Sequence, residues 1–276
     1  MGNLDENLQT WTAHNWAESG EEWSKTWGGS ANLWWGCLFL RLAGHLPAAT
    51  IVEIAPGAGR FSQYLCAWTD RLILVDVTPR CIELCQQRFA GRANVETRLN
   101  DGRTLPGIDD RSVQLVFSFD SLVHVDLSIL RAYCDEIRRV LAPGGVAFLH
   151  HSNFASFLDP ETGKATIENL HWRDPGVSAA AVEKEAALAG LRVLVQEKVN
   201  WGGDDLIDAF TLLGRDDDHR DVAPRRLENP DFMREAISLA QIGATWTEGG
   251  LDFSTQLASR TTAPRASFWQ RMKGNS

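Results

Sequence analysis

The chain has 276 residues, 44% of them hydrophobic, which fills one elaborated α/β domain and leaves two full domains cramped. Acidic residues outnumber basic ones 36 to 27, a formal net charge of −9. Extended nucleic acid and anionic membrane surfaces are therefore disfavoured as partners, and a small neutral or cationic molecule fits more easily.

Five cysteines (Cys37, Cys66, Cys81, Cys85 and Cys134) are scattered without a Cys-x-x-Cys pair, as expected of buried thiols in a reducing cytosol rather than of a metal or redox set. The N-terminus is polar and acidic, unlike a signal peptide, and Glu6 stands where a myristoylation site needs Ser or Thr. No apolar run approaches the roughly 20 residues of a membrane span. The expectation is a cytoplasmic protein that binds neither nucleic acid nor membrane, with a homo-oligomer left open.

Three zones follow one another. Residues 1–47 carry Trp11, Trp16, Trp23, Trp27, Trp34 and Trp35 and read as a helical cap. Residues 48–214 alternate short apolar runs with helical patterns, and residues 215–276 form a polar, weakly periodic extension. In the middle zone, 51–54, 72–76, 95–99, 113–117 and 146–149 read as strands. Leu127, Leu130, Cys134, Ile137 and Leu141 recur at helical spacing, and Ala142-Pro143-Gly144-Gly145 supplies a stop. Ala179 to Leu188 reads as a further helix. Two more strands, 191–199 and 206–213, are joined by the turn Asn200-Trp201-Gly202-Gly203, which is too short for anything but an antiparallel pair. The fold expected is a seven-stranded, mostly parallel Rossmann-like α/β sheet ending in an antiparallel hairpin, with helices on both faces.

The first strand runs into Ala55-Pro56-Gly57-Ala58-Gly59 and then a helix, an arrangement that lets backbone approach a ligand closely. The next strand ends in Asp76, followed by Val77, and a carboxylate there can accept the hydroxyls of a ribose. A dinucleotide fingerprint would need a third glycine where Ser62 stands, and no P-loop Gly-Lys-Ser/Thr is present. Glu53-Ile-Ala-Pro-Gly57-Ala-Gly59 resembles the first motif of class I methyltransferases, with Ala55 in the first glycine position. Asp76 resembles the second motif, and Asn100-Asp101-Gly102 the adenine-contacting one. The stretch Val116-Phe117-Ser118-Phe119-Asp120 resembles the motif beside the methionine end of the cofactor, and Arg138 to Gly145 the frequent Arg-Val-Leu-Lys-Pro-Gly-Gly helix end.

This resemblance spans about residues 50–150 and implies S-adenosylmethionine as cofactor. It implies that Glu53, Ala55, Gly57, Gly59, Asp76, Val77, Asp101, Gly102, Ser118 and Asp120 hold it. Residues 48–214 become the cofactor-binding methyltransferase domain, with the cap closing over it.

In this topology ligands sit beyond the carboxyl ends of the strands, where Asp120 and His124 follow the fourth strand and His150-His151-Ser152-Asn153 the fifth. A hydroxyl acceptor needs a proton acceptor, and histidine can serve at neutral pH. His150 and His151 face opposite sides of a strand. His151, nearer the strand end, is expected as the base, with His124 as rival or co-actor. A divalent metal held by Asp120, His124 and His151 is the weighed alternative, and no metal is expected. One or two of the cap tryptophans, together with His171, Trp172, Trp201 and Asp204, are expected to complete the pocket, since indole faces stack on sugars and cations alike.

The His-His-Ser-Asn and Asn-Trp-Gly-Gly-Asp-Asp stretches resemble bacterial saccharide and small-molecule methyltransferases. That resemblance implies O-methylation of a sugar, glycoside or other small molecule. N-methylation of an amine metabolite and a non-catalytic cofactor-binding module are the alternatives.

Overall fold

The computed structural model describes residues 3–218 and 223–246. The far end of the expected C-terminal extension, 247–276, lies outside the described residues. One eight-stranded sheet in the order β3-β2-β1-β4-β5-β7-β6-β8 organises them. Its strands are β1 (Ala48–Ile54), β2 (Thr69–Asp76), β3 (Val95–Leu99), β4 (Val113–Ser118), β5 (Leu141–Ser152), β6 (Leu191–Val199), β7 (Asp208–Arg215) and β8 (Arg225–Asn229). The first five pair in parallel, β7 runs antiparallel to β5 and β6, and β8 lies parallel to β6. This is the Rossmann-like sheet of class I methyltransferases with its antiparallel hairpin, extended by one edge strand.

The helices are α1 (Leu4–Ala13), α2 (Ser30–Leu33), α3 (Phe39–Leu42), α4 (Ser62–Leu65), α5 (Pro79–Arg88), α6 (Leu127–Val140), α7 (Ala179–Leu188) and α8 (Phe232–Ala244). A π-turn over Trp34–Leu38 joins α2 to α3. Helix α6 shows how local sequence sets an element. The Asp126 side chain caps the amide of Ile129, and Ile129, Leu130, Tyr133, Cys134, Ile137 and Val140 form its buried face. The Ala-Pro-Gly-Gly stop does end the helix, but it also opens β5, which begins at Leu141, ahead of the expected 146. The hairpin strand expected from 206 begins at Asp208.

Strand alternation divides the core in two. Ile51, Leu72, Leu74, Leu115, Phe117, Val146 and Phe148 face one cluster with Trp27, Trp34, Phe61 and Phe210. Val52, Ile54, Ile73, Val75, Val116, Ala147 and Leu149 face the other, under α6 and α7. The cap therefore belongs to one face of the sheet. It is fastened there by Arg41, whose guanidinium bonds both Glu197 of β6 (2.7 and 2.6 Å) and Glu235 of α8 (3.0 and 3.1 Å). Among the described residues no helix is long and apolar enough to cross a membrane.

Candidate active site

Beyond the carboxyl ends of β1, β2 and β4 lies a cleft of about 370 Å³, within the usual range of small-ligand sites. Its first half is built from strand ends. Glu53, Ala55, Gly57, Asp76, Val77 and Gly102 all line it. Gly57 and Gly102 adopt φ of 59° and 75°, so both use the freedom that only glycine has cheaply. A Cβ at Gly57 would come within 2.9 Å of the Trp16 ring. The Asp76 carboxylate accepts the amides of Thr78 (2.8 Å) and Gly57 (3.3 Å), which fixes the turn and aims the carboxylate along the cleft wall. Burial pushes its pKa up to about 6 despite those amides, and burial pushes Glu53 up to about 7 against the Ser62 hydroxyl that it accepts.

Ala55 takes φ 54° at the position where the motif usually carries glycine. An alanine there costs about 1 kcal/mol or somewhat more, and its amide is still anchored to the Val75 carbonyl at 2.8 Å.

Three expected cofactor residues do not reach the cleft. Gly59 turns the chain with φ 80° but packs toward Phe89. The Ser118 hydroxyl is buried and donates to the Ile54 carbonyl beneath the loop. The Asp101 carboxylate turns into its own loop, accepting the amides of Arg103 and Thr104 and the Thr104 hydroxyl. Its neighbour Gly102, not Asp101, forms the wall.

The second half is aromatic. Trp11 and Trp23 from the cap, Phe119, Trp172 and Trp201 line it, and Trp16 lies over Gly57 of the first half. Trp27 and Trp34 are core and do not line the cleft, while Phe119 and Trp201 belong to that same core cluster and reach the cleft at its edge. His171 also lines the cleft, but Asp204 does not. His124 lines it too, with its ring 5.6 Å from that of Trp11. Its Nδ1 bonds the Trp172 carbonyl at 3.0 Å, so Nδ1 carries the proton and Nε2 is left as the acceptor. Burial, reinforced by Arg173, lowers its pKa to about 4. The neutral imidazole is thus the resting form.

His151 is not brought to the cleft, which corrects its expected role as base. It shares its face with Ala147 and Leu149, beneath α6 and α7, and is fully buried. Its Nδ1 donates to the Ser152 carbonyl (2.9 Å) and its Nε2 accepts from Thr211 (2.8 Å). Strand β5 also continues past it to pair Ser152 with Asp208, so His151 is not at the strand end. The set Asp120, His124 and His151 therefore forms no metal cluster, and among the described residues no group of three such side chains does.

His150 takes the site-facing side instead, under the floor. It accepts the Asp120 amide at Nδ1 (3.0 Å) and donates from Nε2 to Asp208 (3.0 Å). Arg173 clamps the same carboxylate through two bonds of 2.8 and 2.6 Å. Burial alone would raise the Asp208 pKa, but Arg173 and His150 hold it below the usual carboxylate range. Asp120 lines the cleft with φ 58°, and its carboxylate meets Arg60 at 2.8 Å. Two buried arginines, Arg60 and Arg173, thus frame the site, and sequence reading missed both. A buried arginine is signalled by its acid, and Asp120 and Asp208 lie 60 and 35 residues away.

Residues 51–145 match a family described as a methyltransferase domain. No curated protein matches the chain. Among solved structures, the PH0226 protein from Pyrococcus horikoshii superposes with a TM-score of 0.56 at 20% identity, over 77% of this chain and 100% of that one. DhpI in complex with SAH gives 0.53 at 19% identity, over 78% and 97%. N-methyltransferase NodS from Bradyrhizobium japonicum, in complex with S-adenosyl-L-homocysteine, gives 0.53 at 18%, over 76% and 97%. At these identities the likeness is one of fold. The match of residues 51–145 to a methyltransferase domain agrees with that fold.

Proposed function

We propose that the protein transfers a methyl group from S-adenosylmethionine to a hydroxyl of a small molecule, the class that includes sugars, glycosides and other hydroxylated metabolites. The observation that carries this reading is His124. It is a neutral imidazole in the cleft wall, oriented through Nδ1 and offering Nε2. S-adenosylmethionine supplies an electrophilic methyl group on positively charged sulfur. The chain's own residues bind, align and manage a proton. Asp76 and the glycine turn hold the nucleoside, the cap excludes water, and His124 accepts the hydroxyl proton as the oxygen attacks. On this reading the partner is the small acceptor alone, without nucleic acid or membrane, in the cytoplasm.

A second reading, N-methylation of an amine, is favoured by the tryptophan-rich wall, which suits a cation as well as a ring. An ammonium group must lose its proton before it can attack, whereas a hydroxyl can pass its proton to the neutral His124 imidazole as it attacks, and this tips the choice toward a hydroxyl. The test is release of S-adenosylhomocysteine against panels of alcohols and amines. Turnover confined to amines, unchanged in His124→Ala, would overturn the hydroxyl reading.

A further inference from the structure

The acceptor half of the cleft is unusual in how its polar groups are already spent. Arg173 is held by Asp208 and by the His171 carbonyl, and Arg60 by Asp120 and the Ser24 hydroxyl. Asn7 bonds the His124 carbonyl and accepts from Trp11. What these leave for a ligand is ring surface, ring nitrogens and the second oxygen of Asp120. Trp11 and Trp23 stand edge to face at 5.8 Å, and Trp201 lies 6.0 Å from Phe119. The apolar character continues to the mouth, where Leu170 and Trp172 are 62% and 61% exposed. Large apolar side chains in the open at a cleft mouth mark a surface that is covered when the ligand binds.

A polyhydroxylated ring entering such a wall would lose water from several hydroxyls and find few side chains free to replace it. A flat aromatic ring presents faces that need no hydrogen bonds, and it gains from offset or edge contact with indole. We infer that the acceptor is a planar phenol-type molecule, a hydroxyl carried on an aromatic ring system, which packs against the indole of Trp11. This rests on the methyltransferase reading above and narrows its acceptor class, away from the sugar that the sequence resemblance suggested.

The chemistry agrees. A phenolic proton, with a reference pKa of about 10, leaves far more readily than that of an aliphatic alcohol. The phenolic oxygen forms the new bond to the methyl carbon while the sulfur–carbon bond breaks and returns its electron pair to sulfur. The phenolic proton passes to His124 Nε2. The products are an aryl methyl ether, S-adenosylhomocysteine and a protonated imidazole, so charge and atoms balance.

The test is calorimetry on the full chain saturated with S-adenosylhomocysteine, titrated with 2-naphthol and with methyl α-D-glucopyranoside. The expected result is one-to-one binding of 2-naphthol, at least tenfold tighter than the glycoside. Trp11→Ala should weaken 2-naphthol at least fivefold, and Trp11→Phe, which keeps a flat face, should recover most of it. Equal or tighter binding of the glycoside would overturn the proposal, as would 2-naphthol binding that ignores Trp11→Ala. Failure of the wild-type protein to bind S-adenosylhomocysteine is a separate outcome, and it would overturn the methyltransferase reading itself.

Discussion

The two halves of the cleft are built on opposite plans. The cofactor half comes from the turns after three neighbouring strands, and its work is done by backbone: Gly57 and Gly102 yield space, and Asp76 ties down the turn it sits on. The acceptor half is assembled from Trp11, Phe119, His124, Trp172 and Trp201, drawn from four separate stretches, and its work is done by rings. A backbone-built site admits one ligand shape and tolerates change outside it. A ring-built site is respecified by any one wall residue. The second plan suits the half that must differ between enzymes that share a cofactor.

The sharpest break of this comparison is at His124. His124→Ala should lower turnover about 10²–10⁴-fold, the usual cost of losing a general base, while S-adenosylhomocysteine affinity by calorimetry changes little. His151→Ala, on the far face of the sheet, should leave the rate per folded molecule near native. Equal losses in the two variants would restore His151 to the chemistry.

The cap repeats the contrast along one segment. Trp27 is core and Trp11 is wall. Trp27→Ala should cost about 3–5 kcal/mol of folding stability, read from denaturant midpoints. Trp11→Ala should cost far less stability and impair turnover instead. A large stability loss at Trp11 would make the whole cap a packing device.

On the cofactor side, Asp76→Ala removes a charged acceptor, an effect of about 1.5–3 kcal/mol. Binding of S-adenosylhomocysteine should weaken at least tenfold by calorimetry. Asp101→Ala should change it less than twofold, because that carboxylate is committed to its own loop.

The buried titrating groups pull stability in opposite directions as pH falls. His124 and His151 are lowered from 6.5 to about 4, so the stability they contribute is present above 6.5 and lost as pH falls toward 4. Glu53 is raised from 4.5 to about 7, so its contribution is present below 4.5 and lost as pH rises through 7. Asp76, raised from 3.8 to about 6, follows Glu53, so between pH 4.5 and 6 the two carboxyls offset the two histidines. Glu53→Gln should unmask a steady acid-side decline, measured as the urea midpoint against pH. A profile unchanged by Glu53→Gln would mean that Glu53 titrates as it does in the unfolded chain. The smallest effect is expected at Ala55. Relief of its left-handed backbone by Ala55→Gly should raise stability by about 1 kcal/mol, less the entropy that glycine adds to the unfolded chain.

These contrasts also mark what the sequence reveals. Ala179–Leu188 and Leu191–Val199 were readable to the residue, because burial imposes period and caps impose ends. Strand β8 was not: Arg-Arg-Leu-Glu-Asn is an exposed edge, and its four leading residues bear no buried face to alternate. The cofactor motifs located the right loops, yet side-chain direction within a loop depends on local hydrogen bonds, as Asp101 and Ser118 show. The parity of β5 was legible, since His150 follows Val146 and Phe148 by twos. Which face carried the site was not, because that depends on where the cap docks. Arg60 and Arg173 were hidden for a like reason, their partners being distant in the chain.

The Arg41 clamp has a consequence for synthesis. It joins positions 41, 197 and 235, so the cap emerges from the ribosome long before its last anchor exists. The segment that carries Arg41 therefore gains its last anchor only after nearly the whole sheet has been translated, and a nascent chain halted before 235 should show that segment more open to protease than the finished protein does.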